Sequence, residues 1–202
     1  MTQIALPLDV RGASDPVRIA VGSANRAAIE ALADPAHWPF HTALLVGPSR
    51  SGKTLLARWF AEQGAGEAID DAPQRPETEV FHAWNRAQEA QRPLLLTARP
   101  GWLASLPDLA SRLSGSLQVA IDSPDDAFIA DLLTAHAEQR RLALGEGAAA
   151  YLVPRIERSF AAVEEVIAAI DRLSLERQAP ATMSIWRDAI EAVRGPEQGR
   201  LL

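Results

Sequence analysis

The 202-residue sequence contains no cysteine. This excludes a disulfide framework, a thiolate metal site and a cysteine nucleophile, and it fits a reducing cytoplasm. No apolar run approaches a membrane span, and the N-terminus lacks the basic and apolar regions of a secretion signal. There is no surplus of positive charge. Lysine and arginine number 20 against 26 aspartates and glutamates, a net charge of −6. Whole-surface attraction to nucleic acid is therefore disfavoured, and no direct sequence-specific DNA binding is expected. The four histidines, His37, His41, His82 and His136, show no metal-ligand spacing. Internal repeats, a helix-turn-helix module and a basic C-terminal domain are all lacking.

What is present is a hydrophobic fraction of 48%, ample for a packed core. The length suits one α/β domain with a small appendage. The organising stretch is ALLVGPSRSGKT, Ala43 to Thr54. Ala43 to Val46 reads as a buried strand and Leu55 to Ala61 as a helix. Between them Gly47, Pro48, Ser49, Arg50, Ser51, Gly52, Lys53 and Thr54 match G-x-x-x-x-G-K-[ST], the phosphate-binding P-loop. The glycines let backbone N–H groups close around phosphate oxygens, and the following helix aims its positive end at the same anion. Lys53 adds a point charge at the outer phosphates, and Thr54 offers a hydroxyl to Mg2+. Arg50 and Ser51 fill variable positions. The competing reading is a glycine-rich turn that binds nothing; the strand-turn-helix context weighs against it.

Upstream, Gln3 to Leu8 (QIALPL) holds Ile4, Leu6 and Leu8 in a stretch that Pro7 keeps extended. Two readings stand: an edge strand on its own domain, or a short peptide that docks in a partner's apolar groove. Arg11 to Pro16 reads as a flexible linker, which favours the peptide. Arg18 to Gly22 is an apolar stretch, and Ser23 or Asn25 can cap a helix over Arg26 to Leu32. Downstream, Glu67 to Asp71 (EAIDD) fits a short strand ending in acids. Asp70 would then hold the metal and Asp71 orient a water. A turn with an aspartate cap is the alternative. Glu77 to Ala90 is an amphipathic helix, with Val80, Phe81, Trp84 and Ala87 as its apolar face. Pro93 to Thr97 is an apolar strand ending in a polar group. Asp108 to Leu113 reads as a helix carrying Arg112, and Leu117 to Ile121 as a strand. A helix from Ala127 to about Arg141 follows Pro124-Asp-Asp126. Beyond the Gly145-Glu-Gly147 break the chain is helical: Ala148 to Ile156, Ala161 to Leu175 and Met183 to Val193, with Thr182 or Ser184 as a cap for the last.

Taken together VGSAN, GPSRSGKT, IDD, LLLTARP and LPDLASRL resemble the AAA+ module of DnaA, the bacterial replication initiator. The leading QIALPL is similar to the hexapeptide with which bacterial proteins bind the DNA polymerase sliding clamp. With no DNA-binding domain following, the chain resembles the narrower Hda group of DnaA-related regulators.

The resemblance implies an α/β fold: an AAA+ P-loop three-layer core with a parallel sheet, then a small all-α lid. Residues 1–16 would be clamp peptide and linker, 17–143 the nucleotide-binding core and 144–202 the lid. ADP or ATP, with ADP favoured, would sit with Mg2+ on Gly47 to Thr54 and Leu55. Ile19 and Val21 would lie against the adenine, and Thr54 and Asp70 would hold the metal. Thr97 falls at sensor I, the polar residue near the γ-phosphate, and Ala98 falls where related families carry an acid. Arg112 would be the arginine finger, acting in trans. The sensor II arginine of the lid is replaced by Ala161, with Arg158 one turn earlier as a substitute. Gln3, Ile4, Leu6, Pro7 and Leu8 would bind the beta subunit of the clamp, and the same peptide could join two copies in a homodimer. The partner implied is ATP-bound DnaA, whose hydrolysis the chain would stimulate from a cytoplasmic, replisome-associated position. The segment before Asp70 is too short for the strand and helix usual there, so the sheet is expected to lack an edge strand. Two other functions stay open: a self-contained ATPase or small-molecule kinase, and a clamp-bound tether without effect on hydrolysis.

Overall fold

The computed structural model describes residues 3–4 and 19–195. They form two compact units that divide between Asp122 and Ser123. In the first unit, β1 (Gln3–Ile4) pairs antiparallel with β2 (Ile19–Ala20), Ile4 opposite Ile19. Helix α1 (Arg26–Ala33) follows. Asn25 ties its start to β2: its side chain accepts from Gly22 N–H at 2.9 Å and donates to Ala20 O at 2.8 Å. Two short 3-10 turns, Pro35–His37 and Pro39–His41, lead to β3 (Thr42–Val46), and α2 (Lys53–Glu62) comes after it. Then come β4 (Glu67–Ile69), α3 (Glu77–Ala90), β5 (Leu94–Ala98), α4 (Pro107–Gly115) and β6 (Leu117–Ala120).

The sheet order is β4-β5-β3-β6, and all pairs are parallel. Parallel strands covered on both faces are apolar throughout rather than alternating. TALLV and LLLTA meet that requirement, and every residue of β5 is buried. Leu44, Leu94, Leu96 and Ala98 share one cluster with Val80, Ala83 and Ala87 of α3 and Leu109 and Leu113 of α4. Alternation sends Leu95 and Thr97 to the other face. There α2 lies against β4 and β5 and α1 against β6, so the sheet is the middle of three layers. Among the described residues no strand pairs beyond β4, which leaves the sheet one edge strand short, as expected from the brief segment after α2.

The second unit is all helical: α5 (Asp126–Gln139), α6 (Ala148–Leu152), α7 (Phe160–Glu176) and α8 (Met183–Arg194). Asp125 caps α5 by accepting from Phe128 N–H at 2.8 Å, and Ser159 caps α7 by accepting from Ala162 N–H at 3.1 Å. Pro154 ends α6 early, so a 3-10 turn, Val153–Arg155, replaces the rest of the expected helix. The sequence reading places α5 in the core domain ending at residue 143; in the structure α5 groups with the C-terminal helices. The reason is packing. α5 lies along α7, and the Phe128 ring meets Phe160 edge-on at 6.1 Å.

Candidate nucleotide site

The loop after β3, the turn after β4 and the end of β5 meet at the carboxyl ends of the parallel strands, where open α/β sheets bind ligands. A cavity of about 390 Å3 opens there, lined by Ser49, Arg50, Lys53, Thr54, Asp70, Asp71, Thr97 and Arg99. A second, of about 270 Å3, runs along Arg50 to Leu55 and Arg58. Gly52 stands before α2 at φ 89, in the left-handed region, where a side chain would be strained. At Gly47 a Cβ would come within 2.8 Å of Ser51 Oγ and 3.0 Å of the Ile121 side chain. Both glycines are thus needed for the tight loop that turns the first amides of α2 toward the cavity. Ser51 Oγ is buried within the loop and has no hydrogen-bond partner among the described residues.

Lys53 is the only lysine in the chain. Its ammonium donates to Gly47 O at 2.8 Å and Pro48 O at 2.7 Å. Burial holds its pKa below the ordinary lysine value; Asp70 and Asp71 pull it back up, while Arg99 pushes it further down. Asp70 is gripped at both oxygens. Thr54 Oγ1 donates to Oδ2 at 2.7 Å and Thr97 Oγ1 to Oδ1 at 2.7 Å. Thr97 is fully buried, and its hydroxyl also accepts from Asp71 N–H at 2.8 Å. Asp71 adopts φ 51 and lines the cavity.

These residues fit a nucleotide with magnesium. Lys53, Arg99 and the start of α2 offer positive charge to phosphates, and the loop leaves space in which no side chain could stand. Thr54 and Asp70 supply hard oxygen donors for Mg2+. Among the described residues no group of three or more His, Cys, Asp or Glu could hold a metal alone. Mg2+ takes one or two protein oxygens and completes its shell with phosphate and water. Such an ion would neutralise phosphate charge.

Ala98 is 1% exposed and packs in the α3–α4 cluster, on the opposite face from Thr97. A carboxylate at that position would enter an apolar cluster rather than line the cavity. Ile19 is buried and Val21 half-buried; neither lines either cavity. Arg112 lies away from its own phosphate loop. Its guanidinium rests 4.4 Å from the ring centres of both Phe81 and Trp84 and donates to Asn85 Oδ1. In the second unit Arg158 makes a two-pronged pair with Asp126, at 2.8 and 3.0 Å. Of the candidate clamp residues, Gln3 and Ile4 pair by backbone with β2, while Leu6, Pro7 and Leu8 lie outside the described residues. Sequence reasoning missed Arg99, Arg58 and Asn85. Strand alternation could have found Arg99, since it falls on the same side as Thr97; Asn85 carried no signal beyond its place on an amphipathic helix.

Residues 126–188 match the family described as "Hda, lid domain". No curated protein sequence matches the chain significantly. Among solved structures, domain III of the Thermotoga maritima replication initiation protein DnaA is similar at TM-score 0.73 and 15% identity, covering 88% of this chain and 95% of that one. Replication initiator DnaA bound to AMPPCP and single-stranded DNA is similar at TM-score 0.60 and 18% identity, covering 79% and 66%. The Thermotoga maritima RuvB Holliday junction branch migration motor is similar at TM-score 0.55 and 15% identity, covering 75% and 61%. The fold is that of the AAA+ proteins.

Proposed function

We propose that this chain, an AAA+ protein whose residues 126–188 belong to the Hda lid family, is a DnaA-related regulator of replication initiation. The lid match is the observation that carries the reading; the phosphate cavity and the DnaA-like core support it. On this reading Gln3, Ile4, Leu6, Pro7 and Leu8 tether the chain to the sliding clamp. From there Arg112 enters the nucleotide site of ATP-bound DnaA and offsets the charge that develops as the γ-phosphate leaves. To do so it exchanges its contacts with Phe81, Trp84 and Asn85 for phosphate oxygens.

The chain's own nucleotide is structural. ADP or ATP sits on the P-loop with Mg2+, and ADP is the favoured occupant. Lys53 and the α2 N-terminus bind the phosphates, Thr54 and Asp70 hold the ion, and Thr97 keeps Asp70 oriented. Asp71 has a shorter arm than glutamate, and Arg158 is committed to Asp126. Both features leave intrinsic turnover weak. No helix among the described residues is long and apolar enough to cross a membrane.

The test is hydrolysis of DnaA-bound ATP in the presence of DNA-loaded clamp, with and without this chain. The chain should accelerate it. Arg112→Ala should abolish the acceleration and leave clamp binding intact, whereas Gln3→Ala with Leu6→Ala should lose both. Full acceleration by Arg112→Ala would overturn the role given to that arginine. Turnover of Mg2+-ATP by the chain alone at about 1 per second or faster would favour a self-contained ATPase instead.

A further inference from the structure

Phe40 has no part in the reading above, yet it is a large apolar side chain left 56% exposed. The backbone beneath it is strained. Phe40 stands at φ 50 and His41 at φ 46, consecutive non-glycine residues in the left-handed region. The turn is held from both sides. Trp38 before it is buried, stacks on Phe60 at 5.2 Å and donates its indole N–H to Ala31 O at 2.9 Å. Phe40 O accepts from Thr42 Oγ1 at 2.8 Å and from Gln88 Nε2 on α3. The ring lies over the end of α4, where Gly115 makes room for it: a Cβ on Gly115 would come 2.9 Å from Phe40 Cε2. A connection that only had to reach β3 would have no need of a half-exposed aromatic in so strained a place. Strain of this kind persists where the surrounding structure fixes it, and it gathers at sites that bind.

The ring is also one step from Arg112. Its centre lies 6.4 Å from the Trp84 ring, and the Arg112 guanidinium lies 4.4 Å from that same ring. Phe40 and Arg112 thus share one indole as neighbour. A protein surface that receives Arg112 therefore also comes over Phe40. An arginine beside exposed aromatic area is the composition found at the centre of protein interfaces. We propose that Phe40 is an anchor by which this chain grips the protein whose nucleotide Arg112 enters, its ring filling an apolar recess beside that nucleotide. The proposal rests on the reading of Arg112 as a residue that acts in trans on DnaA-bound ATP. Arg112 acts on the phosphate; Phe40 contributes affinity and touches no reacting atom. The turn fixes the ring in advance, so little freedom is lost when the partner binds.

The experiment follows hydrolysis of DnaA-bound ATP, with DNA-loaded clamp, as the concentration of the full chain is raised, for the unmodified chain, Phe40→Asn and Phe40→Leu. Asparagine accepts the left-handed backbone more readily than phenylalanine, so Phe40→Asn should keep the melting temperature. It should raise the concentration that gives half-maximal stimulation by about tenfold, as loss of an aromatic anchor does. The rate at saturation should stay unchanged, the reverse of Arg112→Ala. Phe40→Leu should fall between, keeping apolar area and losing the ring. An unchanged half-maximal concentration in Phe40→Asn would overturn the anchor while leaving the role of Arg112 standing; if the chain's own association were lost in that variant, the ring would belong to a second copy instead. A large drop in the melting temperature of Phe40→Asn would assign the ring to the fold and overturn the anchor as well. No acceleration by the unmodified chain would overturn the reading on which Arg112 and Phe40 both depend.

Discussion

Thr97 and Asp70 are joined by a 2.7 Å hydrogen bond from hydroxyl to carboxylate, linking the end of β5 to the turn after its parallel neighbour β4. The same hydroxyl accepts from Asp71 N–H at 2.8 Å. One buried side chain therefore satisfies a backbone donor and fixes the acid that would hold magnesium. Thr97→Val, which keeps the shape and removes the hydroxyl, should cost about 1–3 kcal/mol of stability by leaving the amide unpaired. Thr97→Ser should recover most of it. Urea denaturation of the two variants gives the difference. The valine variant should also need more Mg2+ to bind nucleotide. Equal stability of valine and serine variants would show that the network is dispensable.

How much of this arrangement was legible in the residues depends on distance along the chain. The P-loop could be read because its chemistry is local: Gly47, Gly52 and Lys53 stand within one turn of each other, and their spacing reflects the backbone they impose. The parallel sheet could be read from TALLV and LLLTA, since only strands covered on both faces are apolar throughout. Position 98 could be placed but not faced, because alignment of a strand end gives a position and not a side; one residue separates Thr97 in the cavity from Ala98 in the core. The unit boundary was misplaced because the residues of α5 do not say which neighbours bury them; its packing on α7 does. Arg112 stood out by its motif, but its aromatic seat did not. Phe81 and Trp84 look like ordinary core residues on α3, and the guanidinium that lies over them comes from a helix well removed in sequence.

His136 gives the second unit a pH dependence. It sits on α5, half-buried, and burial holds its pKa below the ordinary 6.5; Glu164 on α7 raises it and Arg140 on its own helix lowers it further. The unfolded chain therefore takes up a proton at a higher pH than the folded one. Stability is full above 6.5 and is lost as the pH falls through that value toward the folded pKa. Melting temperature should decline as pH drops from neutral into this window, and His136→Gln should flatten the decline. An unchanged slope in the variant would place the sensitivity elsewhere.

Glu77 connects two elements that sequence alone keeps apart. It opens α3, and its carboxylate accepts from Ser105 N–H and Leu106 N–H, each at 2.7 Å, at the entrance of α4. It thus pins the two amides that lead into α4, whose cap position, Leu106, has no side-chain acceptor of its own. Those backbone bonds hold the Glu77 carboxyl below its ordinary pKa of 4.5. A carboxylate with a depressed pKa stabilises the fold fully above that value, and the contribution fades as the pH falls through the folded pKa. Glu77→Gln keeps an acceptor but removes the charge, so the variant should be flatter with pH below 4.5. Amides 105 and 106 should exchange with solvent faster in it at neutral pH. Because α4 carries Arg112 and α3 carries its aromatic seat, the same change should reduce stimulation of DnaA-bound ATP hydrolysis, with less effect than Arg112→Ala. Unaltered amide exchange would mean that α4 starts without help from Glu77, and that the seat of Arg112 is set by Phe81, Trp84 and Asn85 alone.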